Sequence, residues 1–132
     1  MVLVDTNVIL DVVANDPEWA EWSQHQLDAW SLRDDIAINA VVYSELSIAY
    51  TQIEELDAMI TTAGFEIVAI PREALFLAGK VFLRYRRSGG KRTGVLPDFF
   101  IGAHAAVANA SLLTRDVARY RTYFPSVKLL TP

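Results

Sequence analysis

The sequence predicts an α/β fold, in which a short and mostly parallel β-sheet is covered by helices. Short apolar runs alternate along the chain with longer stretches of helical periodicity. Strands that are separated by helices favour parallel pairing, because each helix carries the chain back across the sheet. The chain has 132 residues and shows no internal repeat or linker, so we expect one domain over residues 1–132.

The strand signals are five short runs rich in Val, Ile, Leu and Phe. They lie at residues 2–4, 36–38, 65–70, 111–113 and 127–130. Pro71 ends the third run, because proline cannot donate a hydrogen bond to a neighbouring strand. These runs predict the strands of the sheet, in chain order.

The helix signals lie between the strands. Helices are predicted over residues 7–14, from Asp16-Pro17 through Trp30, over 41–63, over 73–87 and from Pro97-Asp98 onward. Pro17 and Pro97 suit a first helical turn, and Gly64 suits a helix end. In residues 73–87, the side chains Leu75, Ala78, Phe82 and Tyr85 recur at helical spacing and predict the buried face.

The composition excludes several classes of protein. Without cysteine there is no disulfide framework, zinc finger or thiol nucleophile, and two histidines cannot form a three-histidine metal site. No signal peptide is visible, and the longest apolar run, residues 99–108, is too short to span a bilayer. These observations predict a soluble, cytoplasmic domain with no membrane partner.

Charge is distributed very unevenly between the two halves of the chain. The overall net charge is −4, yet residues 1–66 carry a net −12 and residues 67–132 a net +8. A chain polarised in this way can present a positive face to a polyanion although its calculated pI is about 5.1. A nucleic-acid partner is therefore compatible with an acidic protein.

Four acidic residues from distant parts of the chain are expected at one edge of the sheet. Asp5 directly follows the first strand, and Asp116 comes shortly after the fourth. Glu45 lies one turn inside the helix after the second strand, and Asp98 opens the helix before the fourth. In parallel sheets, the active crevice lies beyond the carboxyl ends of the strands.

Each acid also has a purely structural interpretation. Asp5 and Asp98 are plausible helix N-caps, and Asp116 is a plausible turn residue. Glu45 is harder to explain in this way, because Val41, Ile48 and Ala49 share its helical face. Carboxylates brought together repel one another, and a hard divalent cation removes that conflict. The chemistry this predicts is phosphodiester hydrolysis by a metal-activated water.

The chain resembles the PIN-domain ribonucleases and, more narrowly, a VapC-type toxin of a type II toxin–antitoxin pair. The resemblance rests on four motifs in order, which are Val2-Leu3-Val4-Asp5-Thr6-Asn7, Glu45, the segment 97–105 (PDFFIGAHA) and Leu113-Thr114-Arg115-Asp116. It covers nearly the whole chain. It implies a PIN-like three-layer α/β/α domain, an RNA substrate, a homodimer and a small VapB-type antitoxin.

The resemblance also implies roles for individual residues. Asp5, Glu45, Asp98 and Asp116 match the catalytic acidic quartet, and Asp5, Asp98 and Asp116 match the ligands of Mg²⁺, with Mn²⁺ as the alternative ion. Thr6, Asn7 and Thr114 are candidates for hydrogen bonds behind these acids. Some relatives carry another acid shortly after the position of Asp116, whereas Val117, Ala118, Arg119 and Tyr120 follow here, so we predict one metal ion.

Other residues are candidates for contacts with RNA or a partner. The candidate RNA-binding cations are Arg84, Arg86, Arg87, Lys91, Arg92 and Arg115. Arg115 and Arg119 fit either a phosphate contact or a pairing with acids, and the sequence does not separate these. Trp19, Trp22 and Trp30 lie in an acidic segment and suit core packing or a groove for an antitoxin helix. His104 is interpreted as structural.

Two rival functions remain at the sequence level. A haloacid-dehalogenase-like phosphatase needs a second aspartate where Asn7 stands, and a receiver domain needs a late lysine after a strand, whereas Lys128 lies within the last strand. A module that binds RNA or a partner without cutting it is the alternative from a different class. Glu45 and Asp98 argue against pure binding, because acids repel phosphate.

Overall fold

The centre of the molecule is a five-stranded parallel sheet. The computed structural model describes all of residues 1–132. The strands are β1 (Val2–Val4), β2 (Ile36–Ile38), β3 (Glu66–Ile67), β4 (Ser111–Leu113) and β5 (Leu129–Leu130). Their order is β3-β2-β1-β4-β5, and all four neighbouring pairs are parallel. The predicted α/β fold class with a parallel sheet is confirmed.

Seven helices flank this sheet, as expected for a PIN-like α/β/α arrangement. They are α1 (Thr6–Val13), α2 (Ala20–Ser31), α3 (Ala40–Leu46), α4 (Ile53–Ala63), α5 (Arg72–Arg87), α6 (Leu96–Ala108) and α7 (Val117–Tyr123). None of them is both long enough and apolar enough to cross a membrane.

The central strands are apolar throughout because both faces of the sheet are covered. In β1, Val2, Leu3 and Val4 are at most 1% exposed, and Leu3 pairs with Ala37 of β2 and with Leu112 of β4. One cluster of 27 buried residues runs from β1 through the helices on either side. Burial of this core fixes the strand register, and the register brings the carboxyl ends of β1, β2 and β4 to one edge.

The single helix predicted over residues 41–63 is wrong. The structure has α3, then a 3₁₀ turn at Ser47–Ala49, and then α4. Tyr50 and Gln52 both have extended backbones, and the Ser47 hydroxyl donates to the Ser44 carbonyl 2.6 Å away. A serine that bonds back to the preceding turn competes with helix continuation, and the β-branched Thr51 adds to the break.

Other boundaries also differ from the predicted ones. The helix expected from Asp16 begins at Ala20, because the Asp16 carboxylate accepts from the backbone N–H groups of Glu18 and Trp19 and holds a turn there. The third and fifth strands are only two residues long. On α5, Leu75 is 44% exposed and the buried residues are Ala74, Ala78 and Val81, so the predicted buried face is displaced around the helix.

A buried hydrogen bond joins the helices that carry two of the candidate acids. Asn39 caps α3, since its Oδ1 accepts from the N–H groups of Val41 and Val42, and its Nδ2 lies 3.1 Å from Nδ1 of His104 in α6. His104 is 2% exposed, and burial lowers its pKa. A neutral His104 therefore accepts from Asn39 and fixes α3 against α6, which agrees with its structural interpretation.

Candidate active site

The strand order places a crevice between the carboxyl ends of β1 and β4. From β1 the chain continues to β2 and β3 on one side of the sheet, whereas β4 and β5 lie on the other side. Helices that leave two neighbouring strands in opposite directions open a gap at that point, where α/β proteins bind ligands. Asp5 follows β1 and Thr114 follows β4, and the Asp5 N–H donates to the Leu113 carbonyl over 2.9 Å.

Asp5 is the most deeply buried of the four acids. It is 4% exposed, and its Oδ1 accepts from the Thr6 N–H over 2.8 Å, so that it also caps α1. Its Oδ2 accepts from the hydroxyls of Thr114 at 2.7 Å and Tyr120 at 3.1 Å. Burial raises the pKa of Asp5 to about 6, helped by the negative charge of Asp98 and opposed by the Thr114 hydrogen bond.

Glu45 approaches the site from α3. Its Oε1 accepts from the Thr6 hydroxyl over 2.7 Å, and Thr6 is the residue whose N–H binds Asp5. The sequence argument that placed Glu45 on a buried apolar face is wrong, because Ile48 is 88% exposed in the 3₁₀ turn. The half-buried Glu45 is directed at Thr6 by the position of α3 rather than by an apolar face.

Asp98 and Asp116 share one cation, Arg119. Asp98, in the first turn of α6, forms an ion pair with the guanidinium of Arg119. Asp116, just before α7, has its Oδ2 3.6 Å from Arg119 Nη1. Burial raises the pKa of Asp98, Arg119 opposes this shift, and the charges of Glu45 and Asp116 add to it. The other three acids therefore all lie within electrostatic reach of Asp98, since Asp98 also acts on Asp5.

Thr6, Asn7 and Thr114 form a hydrogen-bond layer behind the acids. The Asn7 amide Nδ2 lies 3.3 Å from Asp5 Oδ2, and its Oδ1 accepts from the Arg115 N–H over 3.3 Å. The Thr114 hydroxyl donates to Asp5 and accepts from the Asp116 N–H over 3.0 Å. One threonine therefore holds two of the four acids in position.

The donor set fits a hard divalent cation, although the acids are not already arranged around one. No three His, Asp or Glu side chains lie close enough together to form a metal centre as placed. All four candidate ligands are carboxylates, which are the oxygen donors that Mg²⁺ and Mn²⁺ prefer. Asp5, Asp98 and Asp116 therefore remain the candidate ligands of such an ion.

Five of the six candidate RNA-binding cations are exposed, at the end of α5 and in the loop that follows it. Arg84, Arg86 and Arg87 end α5, and Lys91 and Arg92 lie in the loop that leads into α6. The Arg92 N–H donates to the Tyr85 hydroxyl over 3.1 Å, and the Tyr85 ring packs 5.6 Å from that of Phe99, next to Asp98. The loop is therefore anchored, through Tyr85, to the first turn of α6, which also carries Asp98.

Arg115 does not join these cations. Its Nε and Nη2 donate to the two carboxylate oxygens of Asp11 over 2.7 and 2.8 Å, and its guanidinium lies 4.9 Å from the centre of the Trp19 ring. Asp11 is 4% exposed and also accepts from Ser23. Because the Nε–Nη2 edge of the guanidinium is committed to the Asp11 carboxylate, the structure gives Arg115 a structural role, the pairing with an acid that the sequence left open.

Sequence reasoning missed Tyr120, which is fully buried and donates to Asp5. Burial, together with the charge of Asp5, raises the pKa of Tyr120 well above its usual value, so it stays a donor. The spacing could have indicated Tyr120, because it stands four residues after Asp116 and would lie on the same side of a helix as that acid. The short α7 that gives this spacing its meaning was not predicted.

The fold and this site together define an α/β domain with a carboxylate cluster at the switch point of a parallel sheet. The PIN domain family model matches residues 2–125, and this chain belongs to that family. The resemblance seen in the sequence is thereby confirmed at the level of the domain. Comparison with curated proteins finds no match.

Solved structures give the same fold. One is a chain of VapBC2 from Rickettsia felis, in a crystal structure with a DNA fragment from the VapBC2 promoter. It superposes with a TM-score of 0.76 at 20% identity, and the alignment covers 100% of the present chain and 99% of the Rickettsia chain. A chain of a toxin–antitoxin complex from Klebsiella pneumoniae gives 0.71 at 21% identity, covering 100% and 98%. FitAcB from Neisseria gonorrhoeae gives 0.70 at 20% identity, covering 98% and 96%.

Proposed function

We propose that this protein is a metal-dependent endoribonuclease and acts as the toxin of a type II toxin–antitoxin pair. One observation carries the proposal. Asp5, Glu45, Asp98 and Asp116 come from four separate parts of the chain, and Asp98 interacts electrostatically with the other three beside the switch point of the sheet, where Asp5 is buried without a cation of its own. Membership of the PIN domain family and the toxin–antitoxin structures with the same fold support it.

The chain's own residues prepare the site for hydrolysis of a phosphodiester bond. Asp5, Asp98 and Asp116 would hold Mg²⁺ or Mn²⁺, and the bound ion would supply a water of lowered pKa and positive charge for the phosphate oxygens. The hydroxyls of Thr114 and Tyr120 orient Asp5, and Thr6 orients Glu45. We assign Glu45 to orienting the attacking water. The water oxygen bonds to phosphorus as the P–O bond to the ribose oxygen breaks, and the proton that the water loses ends on that ribose oxygen.

The basic surface near Asp98 supplies the grip on the RNA backbone. Arg84, Arg86, Arg87, Lys91 and Arg92 are exposed and have no acidic partner within ion-pair distance. Cations without partners gain more from a phosphate than cations already paired, because no ion pair has to be broken. The loop residues Lys91 and Arg92 precede the helix that carries Asp98, which supports this assignment.

An apolar groove on another side of the molecule suits a helix of the antitoxin. It has a volume of about 650 Å³, lies between α1, α2 and α4, and eight of its twelve lining residues are hydrophobic, Ile9, Val12, Leu27 and Met59 among them. An amphipathic helix buries its apolar face in such a groove. Trp19, Trp22 and Trp30 do not line it, so we assign them to packing rather than to antitoxin contact.

A second copy of the chain would cover the apolar surface of α5. Leu75, Phe76 and Leu83 are 44%, 68% and 41% exposed on this helix. Apolar side chains grouped on one helix favour a protein contact over exposure to solvent. A homodimer through α5 is therefore part of the proposed assembly, and sedimentation of the purified chain would measure it.

The test compares the wild-type chain, Asp98→Asn and Asp35→Asn on total RNA, each with Mg²⁺, Mn²⁺ or EDTA. Asp35 is exposed before β2, at the other edge of the sheet, and serves as a matched control. We expect discrete metal-dependent cuts by the wild type and the control, and cleavage at least about a thousandfold slower for Asp98→Asn, because the metal contributes several kcal/mol to transition-state stabilisation. Equal cutting by Asp98→Asn, or cutting in EDTA, would refute the assigned site. A wild type that binds RNA without cutting it would favour the binding-module alternative.

A further inference from the structure

Arg119 is the one cation paired with the acids of the crevice. It is the third residue of α7, and its Nη1 donates to Asp98 Oδ2 and lies 3.6 Å from Asp116 Oδ2. Burial lowers the pKa of Arg119, but the charges of Asp98 and Asp116 outweigh this effect and keep its pKa above the usual value. The guanidinium is therefore a permanent positive charge in a fixed place.

Most of the hydrogen-bonding capacity of Arg119 is unused by the protein. A guanidinium has five N–H donors, and only Nη1 of Arg119 has a protein partner. No buried side-chain polar atom in the chain lacks a hydrogen-bond partner, so Nε and Nη2, which have none, are at least partly accessible to solvent. The side chain is 27% exposed.

Arg115, four residues earlier, provides a comparison, because its hydrogen bonds give it a structural role. Its Nε and Nη2 are both taken up by the two oxygens of Asp11. Arg119 instead meets two carboxylates through a single nitrogen and leaves the other side of its fork open. A planar fork with two free donors matches two oxygens of a phosphate group.

The negative charge of the site would repel a phosphodiester, and Arg119 is the only basic side chain paired with the acids. Asp5 and Glu45 have no basic partner, and Asp98 and Asp116 have only Arg119. One divalent ion leaves four carboxylates with an excess of negative charge, which repels a phosphate. A guanidinium that already lies among the acids reduces this repulsion at the point where the phosphate must approach.

We propose that Arg119 is a substrate-binding residue that contacts the phosphate at the cleavage site through its free Nε and Nη2 donors. It supplies there the positive charge that a second metal ion would otherwise provide. This proposal rests on the proposed nuclease function, and it extends that function to a residue outside the acidic quartet.

The first measurement is the binding of a labelled, random-sequence, single-stranded RNA 20-mer by fluorescence anisotropy in Ca²⁺ over a range of NaCl concentrations. The variants are Arg119→Gln and Arg33→Gln, the latter being an exposed arginine just before β2, at the far edge of the sheet. Loss of one phosphate contact lowers the slope of log K against log salt by about 0.7 for single strands. We expect this loss for Arg119→Gln and an unchanged slope for Arg33→Gln.

The second measurement is the cleavage rate of total RNA in Mg²⁺, which we expect to fall about a hundredfold for Arg119→Gln and not at all for Arg33→Gln. Arg119→Lys keeps the charge without the fork, so its salt slope should match the wild type while its cleavage rate falls about tenfold. Circular dichroism checks whether Arg119→Gln folds. If it does not fold, Arg119→Lys tests the phosphate contact in its place, and an Arg119→Lys cleavage rate equal to that of the wild type would overturn the proposal.

Other outcomes also separate the two proposals. An unchanged salt slope in folded Arg119→Gln, or a wild type with no measurable RNA binding, overturns the role of Arg119. A wild type that shows the slope difference but never cuts RNA overturns the nuclease function and leaves the phosphate contact standing.

Discussion

Asp5 and Asp11 are two aspartates at opposite ends of α1, and their hydrogen-bond partners differ in charge. Both are 4% exposed. The Asp11 carboxylate accepts hydrogen bonds from Nε and Nη2 of the Arg115 guanidinium and from the Ser23 hydroxyl. Asp5 is bound by a backbone N–H, two hydroxyls and one amide, and by no cation.

The difference teaches which buried carboxylate belongs to the structure and which belongs to a site. A buried carboxylate is costly unless it is paired, and the chain supplies the pair for Asp11. For Asp5 the desolvation cost of the charged carboxylate is not offset by a cation, and its pKa is accordingly raised to about 6. A group held in an unfavourable state at a crevice is a candidate for a bound cation.

The largest expected effect comes from breaking the structural pair. Arg115→Ala leaves the Asp11 carboxylate buried without a cation, and we expect the free energy of unfolding to fall by about 3 to 4 kcal/mol. Urea denaturation measures this change. Arg121→Ala, on an exposed side chain of α7, is the control and should change stability by less than about 0.5 kcal/mol. A loss below about 1 kcal/mol for Arg115→Ala would mean that Asp11 does not depend on this pair.

A smaller effect is expected from the pH dependence of stability in EDTA. The folded-state pKa of Asp5 is about 6, against a reference of 3.8. Between these values the unfolded chain has lost the Asp5 proton and the native chain has kept it, so native stability falls as pH rises. The contribution of Asp5 amounts to about 2 to 3 kcal/mol lost from pH 4 to pH 7, and it stays constant above that range.

The control for this pH dependence is Asp5→Asn, which cannot titrate at that position. The stability difference between wild type and Asp5→Asn should shift against the wild type as pH rises through the same window. A difference that stays flat, or that shifts in favour of the wild type, would show that Asp5 is not held in an unfavourable environment.

Much of the fold and the acidic site was predictable because both follow from local pattern and parallel topology. The apolar runs at 2–4, 36–38 and 111–113 are strands in the structure with the same bounds. Parallel strands end at one edge, so an acid after a strand, such as Asp5, is placed by topology alone. The position of Asp98 follows from the helix that precedes β4.

What the sequence could not reveal are the partners of residues that depend on long-range geometry. Arg115 and Arg119 are both basic residues close to Asp116, yet one pairs with Asp11 in α1 and the other with Asp98 in α6. The choice depends on which way each side chain points from the β4–α7 connection, and α7 itself was not predicted. Glu45 reached the site although the apolar face used to predict it is exposed at Ile48.

The central claim is that Asp5 lacks a cation, which a bound metal ion would provide, whereas Asp11 already has one. The most direct test is Mn²⁺ binding at pH 7.5, by electron paramagnetic resonance, to wild type, Asp5→Asn and Asp11→Asn. We predict one bound ion for the wild type and for Asp11→Asn, and at least tenfold weaker binding, on the order of 1.4 kcal/mol or more, for Asp5→Asn. Equal Mn²⁺ affinity in wild type and Asp5→Asn would contradict this account.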